Sequence, residues 1–182
     1  MGASEKVMGR KVFSFDAETN GLWGEAWAIG ALVYDEAGVE IARFEARLPE
    51  SAVTDEWSQK NTLPQVQGIP VTHMDYASML ADFADFYMAN KEGADAVVHM
   101  GYIVEAKLLR DMHELGFIGD WDAPLPLFDV SGNLQAAGAD PTSVDKFVTE
   151  HKLLVGEFEG GGTHNPLYDS AVAAAVYRYL IR

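Results

Sequence analysis

The chain is expected to be an α/β protein in which helices cover both faces of a mixed sheet. Three observations lead there. Strand-like runs cluster near the start of the 182 residues, helix-spaced segments alternate with short apolar runs from Thr72 onward, and a hairpin turn signal sits between two of the early runs. Strands first and alternation afterwards suggest later strands laid beside earlier ones through helical crossovers.

Val12–Phe15 is a short run of β-branched and aromatic residues and reads as a buried strand. Ala26–Tyr34 and Val39–Leu48 are two more, joined by Asp35-Glu-Ala-Gly38, which has hairpin chemistry. Arg43–Arg47 alternates polar and apolar, so this third strand has one wet face. From Pro49 to Pro70 the chain is polar and punctuated by proline, as in an extended loop or short helices. Thr72–Asn90 has helical spacing, with Met79, Leu80, Phe83, Phe86 and Tyr87 on one side and Thr72, three residues before Asp75, as the capping residue. Ala94–His99 reads as a strand, Tyr102–Leu115 as a helix stopped by Gly116, and Leu125–Val130 as a strand. Ser143–His151 is a helix, Gly156–Gly162 is loose, and Asp169–Ile181 closes the chain as an alanine-rich helix.

Composition narrows the function classes. The length fits one domain spanning residues 1–182, with residues 1–10 a peripheral segment, and 48% hydrophobic residues fit an ordinary globular core. Zero cysteines remove disulfides, thiolate zinc sites and a cysteine nucleophile together. No apolar stretch reaches bilayer length and Met1–Arg10 lacks the apolar core of a signal peptide, so no membrane partner and a cytoplasmic protein are expected. A net charge of −15 with only 13 Lys and Arg disfavours grip on a long duplex, which needs a basic track. A short strand or a chain end remains compatible.

The residues with the most chemistry are acidic. The apolar run Lys11–Phe15 ends in Asp16 and Glu18, and i, i+2 spacing on a strand puts both carboxylates on one face. Two carboxylates so placed repel unless a cation lies between them, and magnesium or manganese prefer such oxygen ligands. Glu105 follows midway, where a strand gives way to a helix, and His164 and Asp169 precede and open the last helix. Each motif alone is weak, because turns and helix caps favour the same residue types. The remaining histidines, His73, His99, His113 and His151, are not spaced as a metal cluster.

In order and spacing these residues resemble the DEDDh branch of the DnaQ-like 3′–5′ exonucleases, within the ribonuclease H-like superfamily. Asp16-x-Glu18-Thr19, followed by Gly21 and Leu22, is similar to the first motif of that family. The stretch from His99 to Glu105, followed by Leu108 and Leu109, is similar to the second, and His164-x-x-x-x-Asp169 to the third. Gln67–His73, and Leu127–Asp129 followed by Ser143–Phe147, resemble further parts of the family pattern, so the likeness runs from about Lys11 to Leu180. In one respect the chain departs from it: the second motif normally supplies an aspartate, and here the matching acid is Glu105.

The resemblance implies a five-stranded mixed sheet flanked by helices and a two-metal phosphoryl-transfer site. Two Mg2+ or Mn2+ ions would be held by Asp16, Glu18 and Asp169, with Asp16 shared, and Glu105 would act through ordered water. His164, on a mobile loop after Gly160-Gly-Gly162, would take the proton from the attacking water. Thr19, Leu22 and Trp23 match the positions that hold the terminal sugar and wedge beside the last base. The implied substrate is the 3′ end of single-stranded RNA or DNA, released as nucleoside 5′-monophosphates; a homodimer is left open. The competing expectation, drawn from Glu105 and the acidic charge, is a catalytically impaired fold serving as a nucleic-acid-binding or scaffold module.

Overall fold

A computed structural model describes residues 9–158 and 162–181. Its centre is a five-stranded mixed sheet with helices on both faces. Strands β1 (Lys11–Thr19), β2 (Ala26–Tyr34) and β3 (Glu40–Arg47) form an antiparallel meander, and β4 (Ala94–Val98) and β5 (Leu127–Asp129) continue it in parallel on the other side of β1. The order is β3-β2-β1-β4-β5. The turn expected at Asp35–Gly38 joins β2 to β3: the Asp35 carboxylate accepts the N–H groups of Ala37 and Val39, and Gly38 has φ 89°.

After β3, α1 (Glu56–Asn61) lies between two short 3₁₀ turns, and α2 (Tyr76–Asn90) crosses to β4. Helix α3 (Val104–Glu114) connects β4 to β5, and α4 (Val130–Ala136), α5 (Val144–His151) and α6 (Pro166–Leu180) follow. Strand parity sends the two sides of β1 into different layers. Phe13, Phe15 and Ala17 pack with Met79, Leu80, Phe83 and Tyr87 of α2 and with Leu108 and Met112 of α3. Val12, on the opposite face, packs with Val97, Leu134, Phe147, Val172 and Val176. Among the described residues no helix is long and apolar enough to cross a membrane.

Three expectations change. Helix α2 is capped by Asp75, whose carboxylate accepts the Ser78 N–H at 2.9 Å, and not by Thr72. Thr72 is occupied instead in extending β3, accepting the Arg47 N–H and donating its own N–H to the Arg47 carbonyl. The strand expected over Leu125–Val130 is limited to Leu127–Asp129, because Asp129 accepts the Ser131 N–H and turns the chain into α4. Helix α4 itself is absent from the sequence expectation: Gly132 and Asn133 are poor helix formers, and burial of Val130 and Leu134 overrides them.

Candidate functional site

Asp16 and Glu18 lie on the face of β1 that α6 covers, at the end where β1 runs beyond β4. The β1–β4 pairing ends at Ser14 opposite Val97, so the following residues of β1 have no strand on that side. Glu105, in the first turn of α3, occupies the gap: its Oε1 accepts the Ala17 N–H at 3.2 Å. It is 3% exposed, so it is a buried group of the site and not a solvated helix residue. Lys107 pairs with Asp111 instead. The turn leading into α3 is held by Asp129, which accepts the N–H groups of Met100 and Gly101 at 3.1 and 3.0 Å. Gly101 is required there, since a Cβ would stand 2.5 Å from Val98 Cγ2 and 3.2 Å from Glu105 Oε2.

The third acid arrives through α6. Asn165 caps that helix by accepting the N–H groups of Leu167 and Tyr168, Pro166 takes the first turn, and Asp169 follows one turn on. The helix start sits directly on β2 because residue 30 is glycine; a Cβ at Gly30 would be 2.5 Å from the Leu167 nitrogen. Ser170 closes the contact by donating to the Gly30 carbonyl at 3.1 Å. Gly30 is opposite Asp16 in the β1–β2 ladder, so this close approach brings Asp169 to Asp16. One oxygen from each of Asp16, Glu18 and Asp169 lies within 4.8 Å of the others, and Glu105 is outside that group.

His164 joins them from the segment before α6. It has φ 72°, its N–H donates to Asp169 Oδ2 at 2.8 Å, and its Nδ1 is 3.6 Å from Glu18 Oε1, an ion-pair distance longer than a hydrogen bond. Gly160 and Gly161, part of the expected mobile loop, lie outside the described residues. The edge of the Trp57–His164 pair is T-shaped, with ring centroids 5.5 Å apart.

The electrostatics follow from crowding in a largely buried place. Burial first, then Asp169, Glu105 and Glu18, push the Asp16 carboxyl well above the usual carboxylate range. Burial likewise raises Glu18, against the lowering effect of His164. Asp169 is pushed up to about 7 by burial and Glu18, and Glu105 to about 8 by burial, against its backbone hydrogen bonds. The Glu18 carboxylate holds the His164 imidazole above its ordinary value, despite partial desolvation. These four carboxylates are costly to ionise together without a cation, and they are hard oxygen donors of the kind magnesium and manganese take. The donor set therefore fits the metals that the resemblance implies.

The same groups line a cavity of about 630 Å³. Thr19 and Leu22 are on its wall; Trp23, expected beside them, is 66% exposed and does not line it. Gly21 turns the chain at φ 67°, leaving Leu22 over the cavity and Trp23 outside it. The Thr19 hydroxyl donates to the Gly21 carbonyl at 2.7 Å and so holds this turn. His99 also lines the cavity, with Nε2–H donating to the Pro141 carbonyl at 3.0 Å.

Sequence reading missed three contributors. Trp57 reaches the cavity because Asn20 ties the turn after β1 to the start of α1: its amide donates to the Ala52 carbonyl and accepts the N–H groups of Thr54 and Asp55. Asp145 also lines the cavity and accepts the Tyr168 hydroxyl at 2.8 Å. Asp129 supports Glu105 from behind through the Met100–Gly101 turn. Each was a polar or aromatic residue in a short helix or at the end of a three-residue strand, where no periodicity marks the inward side.

No protein-family model matches the chain, and no curated protein matches it.

Proposed function

We propose that the chain is a metal-dependent 3′–5′ exonuclease with a ribonuclease H-like fold, hydrolysing single-stranded RNA or DNA from the 3′ end to nucleoside 5′-monophosphates. The observation that carries this reading is the convergence of Asp16, Glu18 and Asp169, from two segments some 150 residues apart in sequence, within 4.8 Å of one another, with His164 alongside. The mixed five-stranded sheet with helices on both faces is compatible with that fold.

In this reading Asp16, Glu18 and Asp169 would hold the two ions, and Glu105 would act on them through ordered water. Bound there, Mg2+ or Mn2+ supplies positive charge to the scissile phosphate and to the attacking and leaving oxygens. His164 manages the proton. With Nδ1 turned to Glu18, its Nε2 is the nitrogen left to accept the proton of the attacking water as the new P–O bond forms and the P–O3′ bond breaks. The Asp169 carboxylate, by accepting the His164 N–H, fixes the backbone from which the imidazole projects. Leu22 and Trp57 provide apolar surface on which the terminal base rests.

The test is a time course on 5′-labelled single-stranded RNA and its DNA counterpart with magnesium or manganese, run beside Asp16→Asn. The expected result is a ladder shortening from the 3′ end, slowed in the variant by about a hundred- to a thousandfold, as for removal of a group essential to charge stabilisation. Intact substrate under every metal would favour the impaired, nucleic-acid-binding or scaffold alternative.

A further inference from the structure

His164 is not the only imidazole at the site: His99 lines the same cavity. His73, His113 and His151 are engaged elsewhere, with Asp82, Asp120 and Tyr179. His99 directly follows β4. The β1–β4 register pairs Ser14 with Val97, and two residues on along the two chains come Asp16 and His99. Val97 belongs to the layer that contains Val172 and Val176 of α6, and alternation carries the side chain two places further toward that same layer. His164 reaches the carboxylates from the other flank, since it precedes the start of α6, which sits on β2 at Gly30. The strand that carries Asp16 and Glu18 thus has one imidazole on its β2 side and one on its β4 side.

The bond that holds His99 fixes which of its nitrogens is free. A carbonyl only accepts, so Nε2 carries a proton in donating to the Pro141 oxygen at 3.0 Å. The segment of Pro141 is itself held, because Asp140 accepts the N–H and the hydroxyl of Thr142 at 2.9 and 2.8 Å. Nδ1 has no hydrogen-bond partner among the described residues, and the ring is half-buried on the cavity wall. An imidazole so placed gains or loses a proton at Nδ1 with its bond to Pro141 unchanged. The carboxylates of the cavity are less suited to giving up a proton. Those that hold a cation are ionised in doing so, and Asp55 and Asp145 already accept hydrogen bonds from Ser58 and Tyr168.

Resting on the exonuclease reading, we propose that His99 is the general acid for the leaving group: protonated at Nδ1, it donates to O3′ as the P–O3′ bond breaks. In-line displacement sets the attacking and leaving oxygens on opposite sides of phosphorus. With the scissile phosphate over Asp16, water activated from the His164 flank expels O3′ toward the His99 flank. The protons balance. One passes from the water to His164 Nε2 as the new P–O bond forms, and one passes from His99 Nδ1 to O3′, so the shortened strand departs with a 3′-hydroxyl. His99 ends neutral, its remaining proton on Nε2 and still bonded to Pro141. Both rings return to their starting states by exchange with solvent.

The experiment separates proton donation from every other role by changing the leaving atom. Two 5′-labelled single strands are compared, one natural and one with sulfur in place of the bridging O3′ at the last linkage. A thiolate leaves readily without a proton, whereas an alkoxide needs one. The sugar is the one cut in the time course above, manganese is present throughout, and single-turnover rates are measured for the parent and for His99→Gln, whose amide keeps a donor for the Pro141 carbonyl. On the natural strand His99→Gln should be slower by about a hundredfold or more, with strand affinity and Tm near those of the parent, as for loss of a general acid. On the sulfur strand the same variant should stay within about threefold of the parent, because no proton is required there. His99→Ala, which also drops the Pro141 bond, should show the same contrast at lower Tm. Equal losses on the two strands overturn the proposal, make His99 a prop of the Pro141 segment, and leave the exonuclease reading intact. Parental rates for His99→Gln on the natural strand do the same. A natural strand that the parent leaves uncut overturns both readings together.

Discussion

Glu105 is the residue at which the chain departs from the pattern it resembles, and its surroundings supply a physical reason. Its Oε1 completes the hydrogen bonding of Ala17 on a stretch of β1 that has β2 on one side and no strand on the other. An aspartate from the same helix position is shorter by one methylene and withdraws from that N–H. Glu105→Asp is therefore expected to destabilise the fold by about 1–3 kcal/mol, the cost of a buried donor left unpaired. Glu105→Gln keeps an acceptor and drops the charge, so its stability in chelator should equal or exceed that of the parent. Denaturant melts of both variants check this; an aspartate variant as stable as the parent would remove the structural role given to Glu105.

The raised carboxyls also set a pH dependence, opposite to the usual one for acids. Asp169 at about 7 and Glu105 at about 8 keep their protons in the fold over a range where the unfolded chain, with carboxyls near their ordinary values, has released them. The folded form binds more protons there, so stability is full below about pH 4 as far as these groups are concerned and is lost as pH rises to about 8. His164, raised by Glu18, contributes in the same direction. Thermal melts in chelator should thus show Tm falling between about pH 5 and about pH 8. Asp169→Asn should flatten the slope. A Tm that rises across this interval would mean that the crowding is relieved in some other way.

At the scale of elements, the decisive contact is the start of α6 on β2. A single missing side chain permits it: residue 30 is a glycine inside an otherwise apolar strand buried from Ala26 to Val33. Gly30→Ala places a methyl 2.5 Å from main-chain atoms of Pro166 and Leu167, which cannot rotate away. The variant should lose about 1–3 kcal/mol, the range for overpacking, and should lose hydrolysis beyond that loss of stability because Asp169 is displaced from Asp16. Activity measured well below Tm separates the two effects, and full activity there would show that the α6 contact does not position the site. The glycine was visible in the sequence, yet its partner was not. Helix spacing indicates which side of α6 is apolar, whereas which strand it meets depends on how β1 and β2 pair.

Helix α1 illustrates the same limit from the opposite side. It spans six residues, too few for a periodic signal, and nothing in Glu56–Asn61 marks Trp57 as facing a cavity. Its orientation is imposed by Asn20, more than thirty residues earlier, which fastens the Ala52–Asp55 segment to the end of β1. Trp23 was the more obvious aromatic by sequence position, and the turn at Gly21 directs it elsewhere.

At the scale of the whole molecule, the net charge of −15 and the clustered carboxylates make cation binding a matter of stability as well as chemistry. Ions that bind the folded site alone stabilise it by mass action, by about 2.7 kcal/mol at a hundredfold excess over Kd. Magnesium or manganese at millimolar concentration is expected to raise Tm above that measured in chelator at matched ionic strength. The matching matters, because any salt screens the self-repulsion of so acidic a protein. Asp16→Asn should abolish the specific part of the shift and keep the screening part. Equal shifts with potassium and magnesium would leave the carboxylates without a metal to hold.

What the sequence by itself determined was local. Alternation along Lys11–Thr19 put Asp16 and Glu18 on one face, helical spacing marked the buried side of α2, and the 164–169 interval set a histidine one turn before an acid. These are properties of neighbouring residues, governed by strand and helix geometry. Only the tertiary structure decided which groups meet: Asp169 with Asp16 through Gly30, Glu105 with the edge of β1 beyond its pairing with β4, and Trp57 with His164. It also decided that no lysine or arginine among the described residues lines the cavity. Such meetings depend on strand register and on packing between segments far apart in the chain, and neither is encoded in the periodicity of any one of them.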